Sequence, residues 1–471
     1  MVTLFAQVAE SCQVWSLPQE TDEAAQRGRQ PTHLDWLIAL ARAQDLLKGQ
    51  PMTASLQVAL IAGLLGKQLG LPGRSLTSLV YAALVRDAGL VYGAADLYRA
   101  TQGRVGEKYY FRQVSRIAAG LIPPPQQELL HDWRQVQGLL QAHSQQAARL
   151  LDDLALSEDV SDLVVAHHEL CDGSGYPLGL RAGMDGLTLE ARVLAFADTL
   201  VEVMLDVSGL TSRRQAVEAF LEVKVDGRFD AGVVSAFRTL FEARGEYLTR
   251  LDQGDLAVEL NALLPVRSRT LNGDMVLRMA TAVGAWTDHL MPLYTAGHSL
   301  AVGKLAYQMA EKMEIPADQC GQLVVAALLS RLGMLGVPMA IAFKESPLQP
   351  EEWLAIRDYP RHTQMILSAV PGLETPARWC GEIHERMDGK GFPECRKGFE
   401  ISAGGRLLAI VNACQALISP RPYRPHTYEP LDAMSILGQR RSTHYDNQLL
   451  GVLRNILYRQ TIPADLRDTP V

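Results

Sequence analysis

Apolar residues recur along this chain with the spacing of helices rather than of strands. Trp36, Leu40 and Leu47 fall on one stripe, and Leu60 and Leu64 lie on the next. Residues spaced three, four or seven apart share one face of a helix, whereas strands place apolar residues at every second position. Strand signals are few and short, and there is no run of alternating β-branched residues. The pattern therefore predicts an all-α fold.

Two parts of the chain resemble each other. Ala54–Val58 aligns with His298–Val302, and Ala82–Gly89 aligns with Ala326–Gly333, both at an offset of 244 residues (298 − 54 and 326 − 82). Self-similarity at a fixed offset is the sequence signature of a repeated structural unit. The chain therefore predicts two homologous α-helical domains.

A further pair of landmarks aligns at a different offset. His143 with Ser144 matches His362 with Thr363 at 219 residues (362 − 143). The first copy would then carry about 25 extra residues (244 − 219), placed near 95–125. The predicted division of the chain is a variable segment 1–27, a first domain 28–245, a linker 246–269 and a second domain 270–460.

Composition narrows the class of protein. A chain of 471 residues with 48% hydrophobic and 21% charged residues is long enough for two or three globular domains. A net charge of −7 gives no electrostatic footprint for a nucleic acid polymer. The six cysteines form no CxxC pair and the N-terminus lacks a basic start, so we expect a cytoplasmic protein. The longest apolar stretch, 323–343, is interrupted by Arg331 and Pro338, which favours buried helix and loop over a membrane span.

One motif carries the candidate chemistry. His167–Pro177 reads HHELCDGSGYP, and a weaker copy, IHERMDGKGFP, follows at Ile383–Pro393. Neutral imidazoles together with carboxylates suit divalent first-row metals such as Fe or Mn. Two such ions about 3.5–4 Å apart clamp a phosphate group between them. The motif therefore predicts a metal site of a kind that could hold a phosphate group.

The motif and its neighbours resemble the HD-GYP family, a branch of the HD phosphohydrolases, over most of both domains. The resemblance implies two tandem HD-type helical bundles, Fe or Mn as cofactor, and hydrolysis of cyclic di-GMP or a related cyclic dinucleotide. It also implies a GYP loop at the mouth of the pocket, where other signalling proteins would bind. That loop contains Gly173, Gly175, Tyr176 and Pro177.

The same resemblance assigns roles in the first domain. The implied metal ligands are Asp87, His143, His167, His168 and Asp198. The implied catalytic residues are Asp87, Glu169 and Asp172.

The first domain departs from the family pattern at Arg86, which stands where the family has the histidine of its HD dyad. Arginine stays protonated in proteins, so Arg86 would repel a metal ion or pair with Asp87. Asp198 lies in an apolar run, where an unpaired carboxylate is costly. Its companion is then either a metal or Arg86, and we expect one metal ion rather than two.

The second domain departs further. Its dyad is Ser330-Arg331, and Ile383 and Asn412 replace a histidine and an aspartate of the family pattern. The residues that remain of this degenerate site are His362, His384, Glu385 and Asp388, and the leading-helix histidine is kept as His298. We expect this domain to be scaffold, although the family's RPYR element survives at 421–424.

Two functional hypotheses stay open. The first is an HD-GYP protein of cyclic-di-GMP signalling that is weak or inactive as a hydrolase and has a regulatory role. The second is an active metal-dependent cyclic-di-GMP phosphodiesterase that works from the first domain. Arg86 is the residue that separates them, because the enzyme needs the metal that this arginine disfavours.

Overall fold

A computed structural model describes most of this chain as helices joined by short loops. The residues it describes are 30–100, 133–184, 186–205, 212–223, 227–243, 251, 254–265, 268–424 and 426–461. Within them the only β-type pairing consists of isolated bridges, such as Asp172 with Arg181 and Asp388 with Lys397. The predicted all-α fold is confirmed.

The chain divides into two compact units. The first unit is Thr32–Arg269, and the second is Thr270–Val471 together with Met1–Pro31. The domain boundaries predicted from sequence differ near 246–269, because a helix at Leu256–Leu263 lies in the first unit and packs on its helix Ala54–Gln68. The predicted insertion near 95–125 falls mostly outside the described residues.

The helices described in the first unit are α1 His33–Leu47, α2 Ala54–Gln68, α3 Gly73–Val85, α4 Leu90–Ala100, α5 Trp133–Asp153, α6 Glu158–Ala166, α7 Leu189–Leu205, α8 Arg213–Val223, α9 Ala231–Ala243 and α10 Leu256–Leu263. Helix α2 packs against α3 and α7, and α5 packs against α4 and α6. The core lies between these helices because α2, α3 and α7 are apolar on nearly all faces.

The helices described in the second unit are α11 Gly273–Asp288, α12 Pro292–Thr295, α13 His298–Lys312, α14 Ala317–Leu329, α15 Met339–Ala342, α16 Pro350–Leu367, α17 Glu374–Gly381, α18 Ala403–Ile418, α19 Pro430–Gln439 and α20 Asn447–Thr461, with 3-10 turns at Leu332–Gly336 and Gly398–Glu400. Here α13 packs against α14 and α18, and α16 packs against α17. This repeats the arrangement of α2 with α3 and α7, and of α5 with α6.

Both units fix the start of an equivalent helix with the same device. In the first unit the buried Asp45 carboxylate accepts hydrogen bonds from the Ser55 amide at 3.1 Å and the Ser55 hydroxyl at 2.6 Å. In the second, Asp288 accepts from the Ser299 amide at 2.8 Å and the Ser299 hydroxyl at 2.9 Å. Each carboxylate thereby satisfies a backbone donor in the first turn of α2 or α13.

One described segment, Ala317–Gly336, has the length and hydropathy of a membrane-crossing helix. It is 78% buried inside the second unit. The helical part ends at Leu329 and a 3-10 turn follows at Leu332–Gly336, which is the geometry of a core helix and its exit loop.

Candidate metal centre

Four side chains of the first unit converge on one point. Asp87 follows the end of α3, His143 projects from α5, and His167 and His168 follow the end of α6. Their potential ligand atoms all lie within 4.8 Å of one another. No other group of this kind occurs among the described residues. Four of the five predicted metal ligands are therefore brought together.

A glycine allows the helices to approach closely enough for this. A Cβ atom at Gly89 would lie 1.6 Å from the carbonyl oxygen of His143, so only glycine fits where the chain passes α5. This contact sets the distance between the turn that carries Asp87 and the helix that carries His143.

The donor set fits a divalent cation. A 2.6 Å hydrogen bond from Nδ1 of His167 to the carbonyl oxygen of Val164 orients the imidazole ring. With the proton on Nδ1, the Nε2 atom carries the free lone pair. That Nε2 atom is buried and has no hydrogen-bond partner among the described residues. Burial lowers the pKa of His167, and burial together with the nearby His167 and His143 rings holds the pKa of His168 well below its ordinary value. Neutral imidazoles are the form that binds metals.

The fifth predicted ligand, Asp198, does not join the cluster. Its Oδ1 lies 2.5 Å from Nε of Arg86, whose Nη2 lies 3.3 Å from Oδ2 of Asp87. Arg86 also donates to the Ser55 hydroxyl at 3.1 Å. The prediction that Asp198 is a metal ligand is therefore not supported, because a buried guanidinium occupies its carboxylate.

A second buried cation reinforces this arrangement. Lys48 is 1% exposed and donates to Asp87 at 2.9 Å and to Glu202 at 3.0 Å. Gln50 donates to the same Glu202 oxygen at 2.6 Å. Burial acts to raise the pKa of Asp87, but the Lys48 and Arg86 charges outweigh it and hold that pKa well below its ordinary value.

The buried charges of this network do not balance. Three carboxylates, on Asp87, Asp198 and Glu202, pair with two cations, on Lys48 and Arg86. The network thus carries a net negative charge before any metal binds. A single divalent ion would reverse that charge, and a second would leave a large uncompensated positive charge in a buried place.

Glu169 and Asp172 shape the loop instead of facing the cluster. Both carboxylate oxygens of Glu169 are engaged by backbone amides, of Leu178 at 2.6 Å, Gly179 at 3.2 Å and Leu180 at 2.8 Å. Asp172 is exposed and accepts from the Ser174 amide at 2.9 Å and the Ser174 hydroxyl at 2.6 Å. The geometry does not support the catalytic roles predicted for these two residues, because their oxygens hold the turn.

The GYP loop turns its tyrosine inward. Tyr176 is 7% exposed, and its ring lies 4.6 Å from the His168 ring. Gly175 has no room for a side chain, since a Cβ atom there would lie 2.4 Å from the Leu170 amide nitrogen. Gly173 adopts a φ of 79°, and the Tyr176–Pro177 peptide bond is cis. The exposed apolar residue of the loop is Leu178, not the tyrosine.

The second unit holds a related but different constellation. His384 stacks on Phe392 at 4.7 Å, as His168 does on Tyr176, and Glu385 accepts from two loop amides, as Glu169 does. Asp388 accepts from the Lys390 amide at 3.0 Å, which makes it a turn residue like Asp172.

The predicted match between His143 and His362 is wrong by three residues. A Cβ atom at Gly333, the counterpart of Gly89, would lie 2.0 Å from the carbonyl oxygen of Tyr359. The Tyr359 hydroxyl also forms a 2.6 Å hydrogen bond with Nε2 of His384, and the centroids of the two rings lie 5.4 Å apart. Tyr359 therefore stands in the place of His143.

Sequence reasoning missed Lys48, Glu202 and Tyr359. Glu202 was detectable, because it lies four residues after Asp198 in the same apolar helix and so on the same face. Tyr359 was detectable as well, because its offset from His143 is 216 (359 − 143), the same as that between the two GYP motifs (384 − 168). Lys48 gave no signal, since a lysine after the last turn of a helix is ordinarily solvated.

Comparison with known proteins gives a consistent result. The sequence matches the HD domain family over residues 129–233 and 279–449. It is 28% identical over 446 residues to a 3'3'-cGAMP-specific phosphodiesterase of Vibrio cholerae serotype O1, covering 89% of this chain and 94% of that protein. It is 33% identical over 132 residues to a cyclic di-GMP phosphodiesterase of Thermotoga maritima, covering 28% of this chain and 36% of that protein.

A solved structure of a cyclic GMP-AMP specific phosphodiesterase from V. cholerae is also similar. The TM-score is 0.66 with 24% identity, and the match covers 93% of this chain and 100% of the other. At that identity the likeness concerns the fold.

Proposed function

The chain belongs to the HD domain family, in its HD-GYP branch, and from that premise we propose that it is a cyclic-dinucleotide signalling protein holding a single divalent metal ion in its first unit. In this proposal Asp87, His143, His167 and His168 bind the ion. The protein is weak or inactive as a phosphodiesterase and acts in regulation.

One observation carries the proposal. The Arg86 guanidinium lies 2.5 Å from Asp198 and 3.3 Å from Asp87, so the protein's own cation takes the carboxylates that a second metal would need. A binuclear site stabilises both the attacking and the leaving oxygen of a phosphodiester displacement, and a site limited to one ion supplies only part of that stabilisation.

The substrate class rests on the relatives. The V. cholerae relative that matches along 94% of its own length is named for 3'3'-cGAMP, and the T. maritima relative for cyclic di-GMP. Both ligands are cyclic dinucleotides with two phosphodiesters. The metal is Fe or Mn in this proposal, since mixed imidazole and carboxylate donors suit either ion.

The chain's own residues would act on such a ligand in two ways. Lys48 and Arg86 hold Asp87 ionised and fixed in position. Burial, together with the charges of Asp198 and Asp87, raises the pKa of Tyr176 well above its ordinary value, so its hydroxyl stays protonated. That hydroxyl is buried without a hydrogen-bond partner among the described residues, and it is placed to donate to a ligand oxygen. The metal, when bound, would polarise a phosphate oxygen and activate water.

Metal content and turnover test the proposal together. Elemental analysis of the purified chain should find a single Fe or Mn ion, and His167→Ala should remove it. His362→Ala, a histidine change outside the cluster, should leave the metal in place. Hydrolysis of cyclic di-GMP and 3'3'-cGAMP should be slow or absent. Two ions per chain, or none, would contradict the single-metal site.

The alternative is an active hydrolase, and the completeness of the four-ligand cluster is the observation that favours it. Rapid metal-dependent turnover of either dinucleotide that disappears in His167→Ala would establish this alternative and remove the regulatory reading. A protein that binds one ion and turns over neither ligand would exclude it.

A further inference from the structure

Two arginines of the second unit, Arg331 and Arg421, interact electrostatically with each other and with Tyr359, which stands in the place of His143. Arg331 is the counterpart of Asp87, at the same 244-residue offset that relates Gly333 to Gly89 (331 − 87 and 333 − 89). The glycine pair makes the same contact with the neighbouring helix in each unit, which fixes this correspondence in space. Arg421 begins the RPYR element after α18, the helix that carries Asn412 in the place of Asp198.

Neither arginine has an ion-pair partner in the described part of the chain. Arg421 is 8% exposed, and its Nη1 donates to the carbonyl oxygens of Tyr294 and Pro420, both at 3.0 Å. Its Nη2 is buried and has no hydrogen-bond partner among the described residues. The Arg331 side chain, which is partly exposed, makes no hydrogen bond or ion pair with described residues. In the first unit, by contrast, Arg86 pairs with two aspartates.

The excess of positive charge lowers the pKa values of neighbouring groups. Burial and the Arg331 charge lower the pKa of Arg421 to about 10, and the same two causes lower the pKa of His384 to about 4. Burial, Arg331 and Arg421 together hold the pKa of His298 well below its ordinary value. Asp288 also faces Arg331, but it is hydrogen-bonded to Ser299, and burial raises its pKa to about 6.

His298 and Asn412 complete the polar lining. His298 Nε2 lies 3.4 Å from Oδ1 of Asn412, and its Nδ1 is buried with no hydrogen-bond partner among the described residues. Replacing the aspartate of the family pattern by asparagine removes a negative charge, and replacing the dyad aspartate by arginine adds a positive one. Both changes make the local charge more positive, so a site that would suit a cation in the family pattern here favours an anion.

We propose that Arg331 and Arg421 form a metal-independent site for a phosphate-class oxyanion in the second unit. The ligand chemistry is a tetrahedral phosphate carrying at least one negative charge, from a phosphodiester such as a cyclic dinucleotide or from free phosphate. An anion there supplies the missing partner of the buried Arg421 Nη2, which is otherwise costly to leave unpaired. Guanidinium groups present donors in the fork geometry that phosphate oxygens accept. This site is separate from the metal centre and does not depend on the proposed function of the first unit.

Titration calorimetry on the full chain tests this inference after metal has been removed with a chelator. Inorganic phosphate and cyclic di-GMP are the two probes. Each is expected to bind wild type, and both Arg331→Gln and Arg421→Gln are expected to weaken that binding about tenfold or more, the loss typical of a hydrogen bond to a charged group. Arg357→Gln removes an exposed arginine of the same unit that has no hydrogen-bond or ion-pair partner among the described residues, and it should bind like wild type.

Comparison of the two ligands and of further variants distinguishes the possible explanations for binding. Cyclic di-GMP binding more tightly than phosphate, and competing with it, identifies a phosphodiester ligand; equal or weaker binding identifies free phosphate. His167→Ala should retain the binding, which keeps this result distinct from failure of the metal site. Arg331→Gln is informative even if Arg421→Gln misfolds, because the substitution removes no hydrogen bond or ion pair between Arg331 and the described residues. Absence of binding to wild type at millimolar ligand, or binding that Arg331→Gln leaves unchanged, would overturn the inference.

Discussion

Arg86 and Arg74 each pair with an aspartate in the first unit, in opposite surroundings. Arg86 and Asp198 are 1% and 8% exposed, whereas Arg74 and Asp159 are 82% and 52% exposed. Arg86→Met leaves Asp87 and Asp198 buried without that partner and should destabilise the protein by about 3–5 kcal/mol. The matched change Arg74→Met should cost less than about 1 kcal/mol, because solvent screens the exposed pair. Urea unfolding of both variants measures the difference.

A further variant, Arg86→His, makes metal content a second readout at this position. Arg86→His removes the fixed charge and offers an imidazole beside Asp198, so metal content should rise above that of wild type. Lys48 still holds Asp87 in this variant, at 2.9 Å in the present structure, so the rise should fall short of two ions per chain. An unchanged metal content would mean that Lys48 alone is enough to exclude a second ion.

Asp45 links stability to pH. Burial raises its pKa to about 7, even though the Ser55 hydrogen bonds and the Arg86 and Lys48 charges act in the opposite direction. A carboxyl whose pKa is higher in the folded than in the unfolded chain stabilises the fold when protonated, and this contribution is lost as pH rises toward 7. It amounts to about 2–3 kcal/mol between pH 5 and pH 8.

Asp45→Asn should therefore remove that part of the pH dependence. Asparagine keeps an oxygen acceptor for the Ser55 amide but does not ionise. Relative to wild type, the variant should gain stability at pH 8 compared with pH 5, as measured by urea unfolding at the two pH values. A difference between variant and wild type that is the same at both pH values would show that Asp45 does not titrate in this range.

At the scale of elements, the closeness of α5 to the turn before α4 positions the metal ligands. Gly89→Ala would place a Cβ atom 1.6 Å from the His143 carbonyl oxygen, so the two segments must separate. We expect a destabilisation of about 1–3 kcal/mol or more and loss of bound metal, because Asp87 and His143 move apart. Gly93→Ala, in α4 itself, meets nothing closer than 3.7 Å and should stabilise by about 0.5–1 kcal/mol. Urea unfolding and elemental analysis of the pair check both statements.

The same glycine contact shows how far sequence could predict the elements. Helical spacing predicted the all-α fold, and the 244-residue offset aligned α2 and α3 with α13 and α14, because buried small and apolar positions repeat there. The offset of α5 was missed because His143-Ser144 and His362-Thr363 look alike, and two residues cannot fix the register of a helix. The contact of Gly333 with Tyr359 fixes it, and that contact is a property of packing between distant segments.

The candidate site was likewise only partly predictable from the sequence. Four of the five ligands followed from motif and order, since each is a residue type that binds metal. The capture of Asp198 by Arg86, and the position of Lys48 beside Asp87, depend on how three helices pack. Likewise, the motif gave no means of telling that Glu169 holds three loop amides instead of facing the metal.

For the molecule as a whole, the two proposed sites would bind ligands of opposite charge. The first unit buries a network with net negative charge and a cluster that fits a cation. In the second unit Arg421 is buried with an unpartnered Nη2, and we propose that it binds an anion together with the partly exposed Arg331. Each unit has its own compact core, so a ligand bound in one should stabilise that one. A ligand present at 100 times its Kd stabilises the native state by about 2.7 kcal/mol.

Hydrogen exchange measured peptide by peptide can assign such stabilisation to a unit. Removing the metal with a chelator should speed exchange in peptides from residues 133–205, which carry the three histidine ligands, and leave those from residues 298–418 unchanged. Adding phosphate to the metal-free protein should slow exchange near Arg331 and Arg421 and leave the first set unchanged. His167→Ala should reproduce the effect of the chelator, because His167 contributes a ligand to the cluster and nothing to the arginine site. Exchange that changes equally in both sets after chelation would mean that the metal stabilises the chain globally, against the assignment of one ion to the first unit.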